Sequence, residues 1–197
     1  MIAPGVRTGT LDSVDVQHID GELIAVRDGA TTTRLRLEPR EKVRWTASRG
    51  TVGAALTNKR LLGVSLRSSG WRTLRLTDGE RLVLDASLGG NLLVAATQRR
   101  ILAFHGTTGV WSEVRFSPGE GVEESAAGDQ VAVVLTNQRA VGFAASRSDS
   151  RSLRFDVHES RAVLRVLSTV ATVLTERRLL TYDATLGLWR QEDRPPS

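Results

Sequence analysis

Three histidines, His18, His105 and His158, are the side chains in this 197-residue chain best suited to proton transfer or metal ligation near neutral pH. They fall in three different stretches at three different places of a repeated pattern, with no ligand spacing such as H-E-x-x-H. Cysteine is absent, which excludes a thiol nucleophile, a thiolate metal site and a disulfide framework, and is neutral about redox compartment. There is no P-loop, no G-x-G-x-x-G after a strand and no G-x-S-x-G elbow. Carboxylate pairs for glycoside chemistry are not excluded by counting Asp and Glu. The connections are short, however, and leave few loops to wall a substrate cleft. The reading is no catalytic residue, no metal site, no cofactor, and a protein that is not an enzyme.

Other chemistry-bearing residues recur. Arg60, Arg100, Arg139 and Arg178 stand 40, 39 and 39 residues apart, each closing a version of "LTNKRLL". Eleven residues after three of them come Trp71, Trp111 and Trp189, and twenty after three of them come Glu80, Glu120 and Glu159. Thr57, Thr97, Thr136 and Thr175 precede each arginine by three. Arg36, Arg75, Arg115 and Arg154 form a further series, spaced 39, 40 and 39. One Arg and one Glu per unit at constant offsets predict a repeated ion pair within or between units, because a lone buried charge is costly. Thr suits the end of a strand, where its hydroxyl can satisfy a turn amide. The small residues Ala25, Gly63, Ala103 and Gly142 mark a place where neighbouring sheets approach closely.

These landmarks require elements that repeat. A fifth, worn copy begins the chain, with Asp20-Gly21 at the turn and Glu22 in the arginine position, 38 residues before Arg60. Five units of about 39 residues then account for almost the whole chain. Each unit reads as four short strands; in the second copy these are about 51–57, 60–66, 71–76 and 81–86. No apolar period of 3.6 persists over three turns, so little or no helix is expected. The expected fold is all-β, a five-bladed β-propeller of about 39-residue four-stranded blades. The small first strand of each unit ("GAALT", "LVAAT", "AVVLT") is expected innermost. The fifth unit ends after its third strand, which predicts that residues 2–8, "IAPGVRT", supply the missing one and close the ring. The chain is read as a single propeller domain, 1–197, with blades at about 9–48, 49–87, 88–126, 127–166 and 167–192 plus 2–8.

The hairpins "LTN(K/Q)R", the "GW" or "VW" strand starts and the "GE" turns resemble the five-bladed propeller architecture of small lectins such as tachylectin and of some glycosidases. The resemblance covers essentially the full chain but is architectural, without a WD dipeptide, a kelch double glycine or an Asp-box. "LTNKRLL" alone is also similar to a strand-turn of bacterial pleckstrin-homology-like domains, a reading that predicts a terminal helix and no 39-residue repeat.

The formal charge is +5, with arginine supplying all basic residues except Lys42 and Lys59. A basic surface favours acidic partners, although arginine also suits buried pairs. The positive residues are dispersed rather than collected in a run, which argues against nucleic acid as the main partner. The leading functional reading is a non-enzymatic protein–protein interaction or scaffold module, possible as an accessory subunit, with a protein partner of acidic character. The alternatives are a lectin-like carbohydrate or small-ligand binder, in which the tryptophans stack on sugar, and arginine-mediated binding of nucleic acid or an anionic surface. Candidate contact residues lie in or beside the loops between second and third strands: Arg67, Trp71, His105, Trp111, Arg147, Arg151 and Trp189. No apolar run reaches the roughly 20 residues of a membrane span, and the first residues carry no secretory pattern, so the expected location is cytoplasmic.

Overall fold

The computed structural model describes residues 13–156, 159 and 161–194. Alternating or wholly apolar runs bounded by Gly, Asp, Asn and Ser fold, within these residues, into five antiparallel sheets and no helix. The first sheet holds β1 (Val14–Ile19), β2 (Glu22–Arg27) and β3 (Thr31–Arg36). The second holds β4 (Val43–Arg49), β5 (Val52–Thr57), β6 (Arg60–Ser65) and β7 (Arg72–Arg75). The third is β8 (Ser87–Leu88), β9 (Leu92–Ala96), β10 (Arg100–His105) and β11 (Val110–Arg115). The fourth is β12 (Val122–Ala127), β13 (Val131–Thr136), β14 (Arg139–Ala144) and β15 (Ser150–Arg154). The fifth is β16 (Arg161–Val166), β17 (Val170–Thr175), β18 (Arg178–Asp183) and β19 (Leu188–Asp193). Each sheet is a meander in chain order, and together they are the blades of a five-bladed β-propeller.

Blade phase differs from the sequence expectation by one strand. The strand expected fourth in a unit pairs with the unit that follows: β4 pairs with β5, in register from Val43↔Thr57 to Arg49↔Val52. The innermost strands are therefore β4, β8, β12 and β16, and the small "GAALT"-type strands come second. Those strands are small because sheets press on both faces of them, not because they line the axis. Among the described residues the fifth sheet has four strands drawn from residues 161–193. Residues 2–8, proposed to close the ring, and His158 lie outside the described residues.

Neighbouring blades meet through a repeated step. The residue four past each anchor position sits on the small residue, three past the anchor, of the preceding blade. Val64 clusters with Ala25, and Phe143 with Ala103. A Cβ at Gly63 would come within 2.7 Å of the Phe104 ring, and one at Gly142 within 2.7 Å of Tyr182. These two glycines are needed for close approach rather than for backbone freedom. Each large side chain buried in this way contributes about 1.5–3 kcal/mol. Backbone bonds add a second tie: Thr51 N–H donates to Gly90 O (2.8 Å), Asn91 to Asp129 O (2.9 Å) and Gln130 to Ser168 O (2.7 Å).

Candidate functional site

The recurrent Arg, Glu and Thr form one network per blade junction. Glu80, in the turn after the second sheet, receives Arg100 Nε–H at 2.8 Å and Nη2–H at 2.9 Å. The Thr97 hydroxyl donates to it at 2.9 Å and the Thr77 amide at 2.8 Å. Arg100 Nη2 also donates to the Arg75 carbonyl at the end of β7, 3.0 Å away, which ties the third blade to the second. Glu120 with Arg139 and the Arg115 carbonyl repeats the arrangement, as does Glu159 with Arg178 and the Arg154 carbonyl. Glu41 and Arg60 supply a pair that the sequence alignment passed over. Thr oxygen accepts the next turn amides as well, Lys59 N–H at 3.1 Å and Arg60 N–H at 3.0 Å, so a turn without positive φ still closes.

The four carboxylates have side chains wholly removed from solvent where their ion pairs are recorded. Burial pushes Glu80 up, but hydrogen bonds from Arg100, the Thr77 amide and Thr97 outweigh it and bring the group down to about 2. The Arg178 bond, against burial, takes Glu159 to about 2 as well. Glu41 and Glu120 are lowered from the ordinary range by the same kinds of bonds, again in opposition to burial. These carboxylates are held ionised, out of solvent and with both oxygens hydrogen-bonded within the fold. They are structural, as the sequence reading expected.

The tryptophans are also engaged within the fold. Trp111 packs on Phe104, with ring centres 5.1 Å apart, and its Nε1–H donates to Arg72 O at 3.0 Å. Trp189 packs on Tyr182 at 5.1 Å and donates to Arg151 O at 2.9 Å. Trp71 packs between the first and second sheets, where its buried Nε1–H has no partner among the described residues. His105, expected on a contact loop, is fully buried at the junction of the third and fourth blades. Its Nδ1 lies 2.9 Å from Ala144 O and Nε2 2.7 Å from Ser112 Oγ, so Nδ1–H donates and Nε2 accepts. Burial lowers its pKa from the usual value and keeps the ring neutral. Arg67 is exposed at the tip of its loop.

Three of the candidate residues come together. Arg147 and Arg151 share the carboxylate of Asp149, at 2.9 Å and 3.1 Å, beside Trp189 at the rim between the fourth and fifth blades. A Cβ at Gly187 would strike the Arg147 side chain at 2.8 Å, which places the 184–188 loop against that arginine. This loop carries Leu186 and Leu188, 45% and 53% exposed. The sequence signal for them was present: "ATLGLW" has leucines where the corresponding loops read "RSSG" and "GTTG". On the turn-bearing face opposite, charges are mixed. Arg75 and Lys59 pair with Glu38 at 2.9 Å and 3.1 Å, and Arg115 approaches Glu113 at 3.8 Å. A cleft of about 670 Å³ there is lined by both signs. Among the described residues no group of three or more His, Asp or Glu is placed to hold a metal ion. No described helix is long and apolar enough to cross a membrane.

No family model matches the chain. No curated protein matches it either. Solved structures do. Yeast RCC1 (Prp20), solved with Kap60, is 10% identical with a TM-score of 0.45, over 87% of this chain and 54% of that one. The N-terminal domain of Nup159 is 12% identical with a TM-score of 0.40, over 92% and 58%. HIRA residues 644–1017 are 12% identical with a TM-score of 0.47, over 78% and 56%. The chain spans little more than half the length of these proteins. Likeness at this level carries no functional argument.

Proposed function

We propose that the protein is a non-enzymatic interaction module that binds a protein partner through the rim patch of Arg147, Arg151, Leu186 and Leu188. The observation that supports this reading is the pairing of two exposed leucines with two arginines that share one aspartate, which sets guanidinium groups beside apolar surface. Apolar anchors rimmed by arginine are the usual composition of a protein-binding patch. The partner that fits is one presenting an apolar side chain flanked by carboxylates. The four buried glutamates and His105 are meanwhile committed to blade junctions, and His18 stands exposed on β1 in the first sheet.

The test is affinity purification with the wild type and two variants, Leu186→Ser/Leu188→Ser and Arg147→Glu/Arg151→Glu, checked for unchanged thermal unfolding. A partner held by the wild type and lost from both variants supports the patch. An identical set of proteins retained by both variants overturns it. The lectin-like alternative is not favoured, because Trp111 and Trp189 are turned to packing and to backbone carbonyls.

A further inference from the structure

The third blade departs from the repeat at its innermost strand. In the second, fourth and fifth blades that strand runs six or seven residues, whereas β8 is a two-residue strand, Ser87–Leu88. Past the isolated Leu82↔Thr97 bridge, Val83 N–H still donates to Ala96 O at 2.9 Å, and residues 84–86 then leave the ladder before β8. Opposite this gap stands Trp45 on β4, the one tryptophan out of register with the others. The two irregularities meet in a cavity of about 290 Å³, lined by Trp45, Thr46, Ala47, Asp85, Leu88 and their neighbours.

The chemistry of this cavity is specific. Its walls are mostly apolar, Trp45 is its one aromatic residue, and Asp85 is the one charged residue that lines it. Asp85 has no ion pair with a described Lys or Arg. Arg49 Nη1–H donates to the carbonyl of Leu88, a lining residue, at 3.3 Å. It lies four residues along β4 from Trp45, roughly 13 Å in extended chain. An indole and an exposed carboxylate beside apolar surface attract a cation whose body is apolar, through the ring quadrupole and through charge. The volume is at the lower end of small-molecule pockets, which suits one compact ligand.

We infer that the cavity between the inner strands of the second and third blades is a binding site for a small organic ammonium ion, held by Trp45 and Asp85. This site is separate from the rim patch and does not rest on that reading. It is tested with choline chloride as the probe, titrated at constant ionic strength and followed by calorimetry and tryptophan fluorescence. The neutral isostere 3,3-dimethylbutan-1-ol is the control. The expected result is saturable 1:1 binding of choline, weakened about ten-fold in Asp85→Asn and about five-fold in Trp45→Leu. The alcohol should bind at least about ten-fold more weakly than choline. Arg147→Glu/Arg151→Glu should bind choline as the wild type does, which separates this site from the rim. Absence of saturable binding, equal affinity for the alcohol, or unchanged affinity in Asp85→Asn overturns the assignment. Asp85 is exposed, so its variant decides the matter even if Trp45→Leu does not fold.

Discussion

The three central blades and the two end blades of this propeller are built differently. In the second and fourth sheets both middle strands are buried almost throughout, as in "VGAALT" and "VAVVLT", and the third sheet follows suit. In β1 and β17 burial alternates instead. A sheet between two others has both faces covered, whereas the first and fifth sheets have one packed neighbour each among the described residues. Sequence tracks this difference: continuous apolar runs in the centre, against "VDVQHI" with Asp15, Gln17 and Ile19 outward in β1. The other face of the fifth sheet mixes apolar and polar groups, with a depression of about 250 Å³ lined by Val163, Arg165, Thr172, Leu174 and Leu179. The glutamate–arginine network obeys the same division. It is present at the four junctions leading into blades two to five, and its position in the first blade is taken by Glu22, whose one ion pair among the described residues is with exposed Arg34 at 3.6 Å.

Acid should expose this contrast most strongly. The junction carboxylates titrate below the ordinary range when folded, Glu80 and Glu159 at about 2. Their contribution is complete above the unfolded value near 4.5 and is lost as pH falls toward 2. Circular dichroism against pH should therefore show unfolding confined to that window; stability unchanged from pH 5 to 2 would contradict the network's role. Glu80→Ala leaves Arg100 without its main partner and should cost about 3–5 kcal/mol in urea unfolding. Glu22→Ala, at the equivalent edge of the first blade, should cost about 1 kcal/mol or less. Leu102→Ala in the third sheet should cost about 2–5 kcal/mol, against about 1–2 kcal/mol for partly exposed Leu179→Ala in the fifth. Equal losses at the two leucines would remove the distinction between central and end blades. Gly63→Ala should cost about 1–3 kcal/mol from the clash with Phe104. Scanning calorimetry would measure it, and a neutral outcome would mean that the aromatic ring can retreat.

Much of the junction chemistry was legible without coordinates. Arg60, Arg100, Arg139 and Arg178 kept their distance from Glu and Thr because each unit must tie itself to the one before. Constant offsets are the trace that such a tie leaves. Gly63 and Gly142 were readable as points of close approach for the same reason. The rim patch was only half legible: Arg147, Arg151 and Trp189 were singled out, but Leu186 and Leu188 gain meaning from the arginine pair folded against them. The Trp45–Asp85 cavity was not legible, since its walls come from two units at positions that do not repeat.

By itself, the order of residues determined that this chain is an all-β array of five similar units, joined by short turns and bound together by arginine and glutamate. Only the tertiary structure decided which four strands share a sheet. A repeat has no intrinsic starting point, so moving every boundary by one strand leaves the pattern unchanged, and backbone hydrogen bonding alone chooses between the two phases. The same limit governs the binding surfaces, where neighbours in space are about one whole unit apart in sequence.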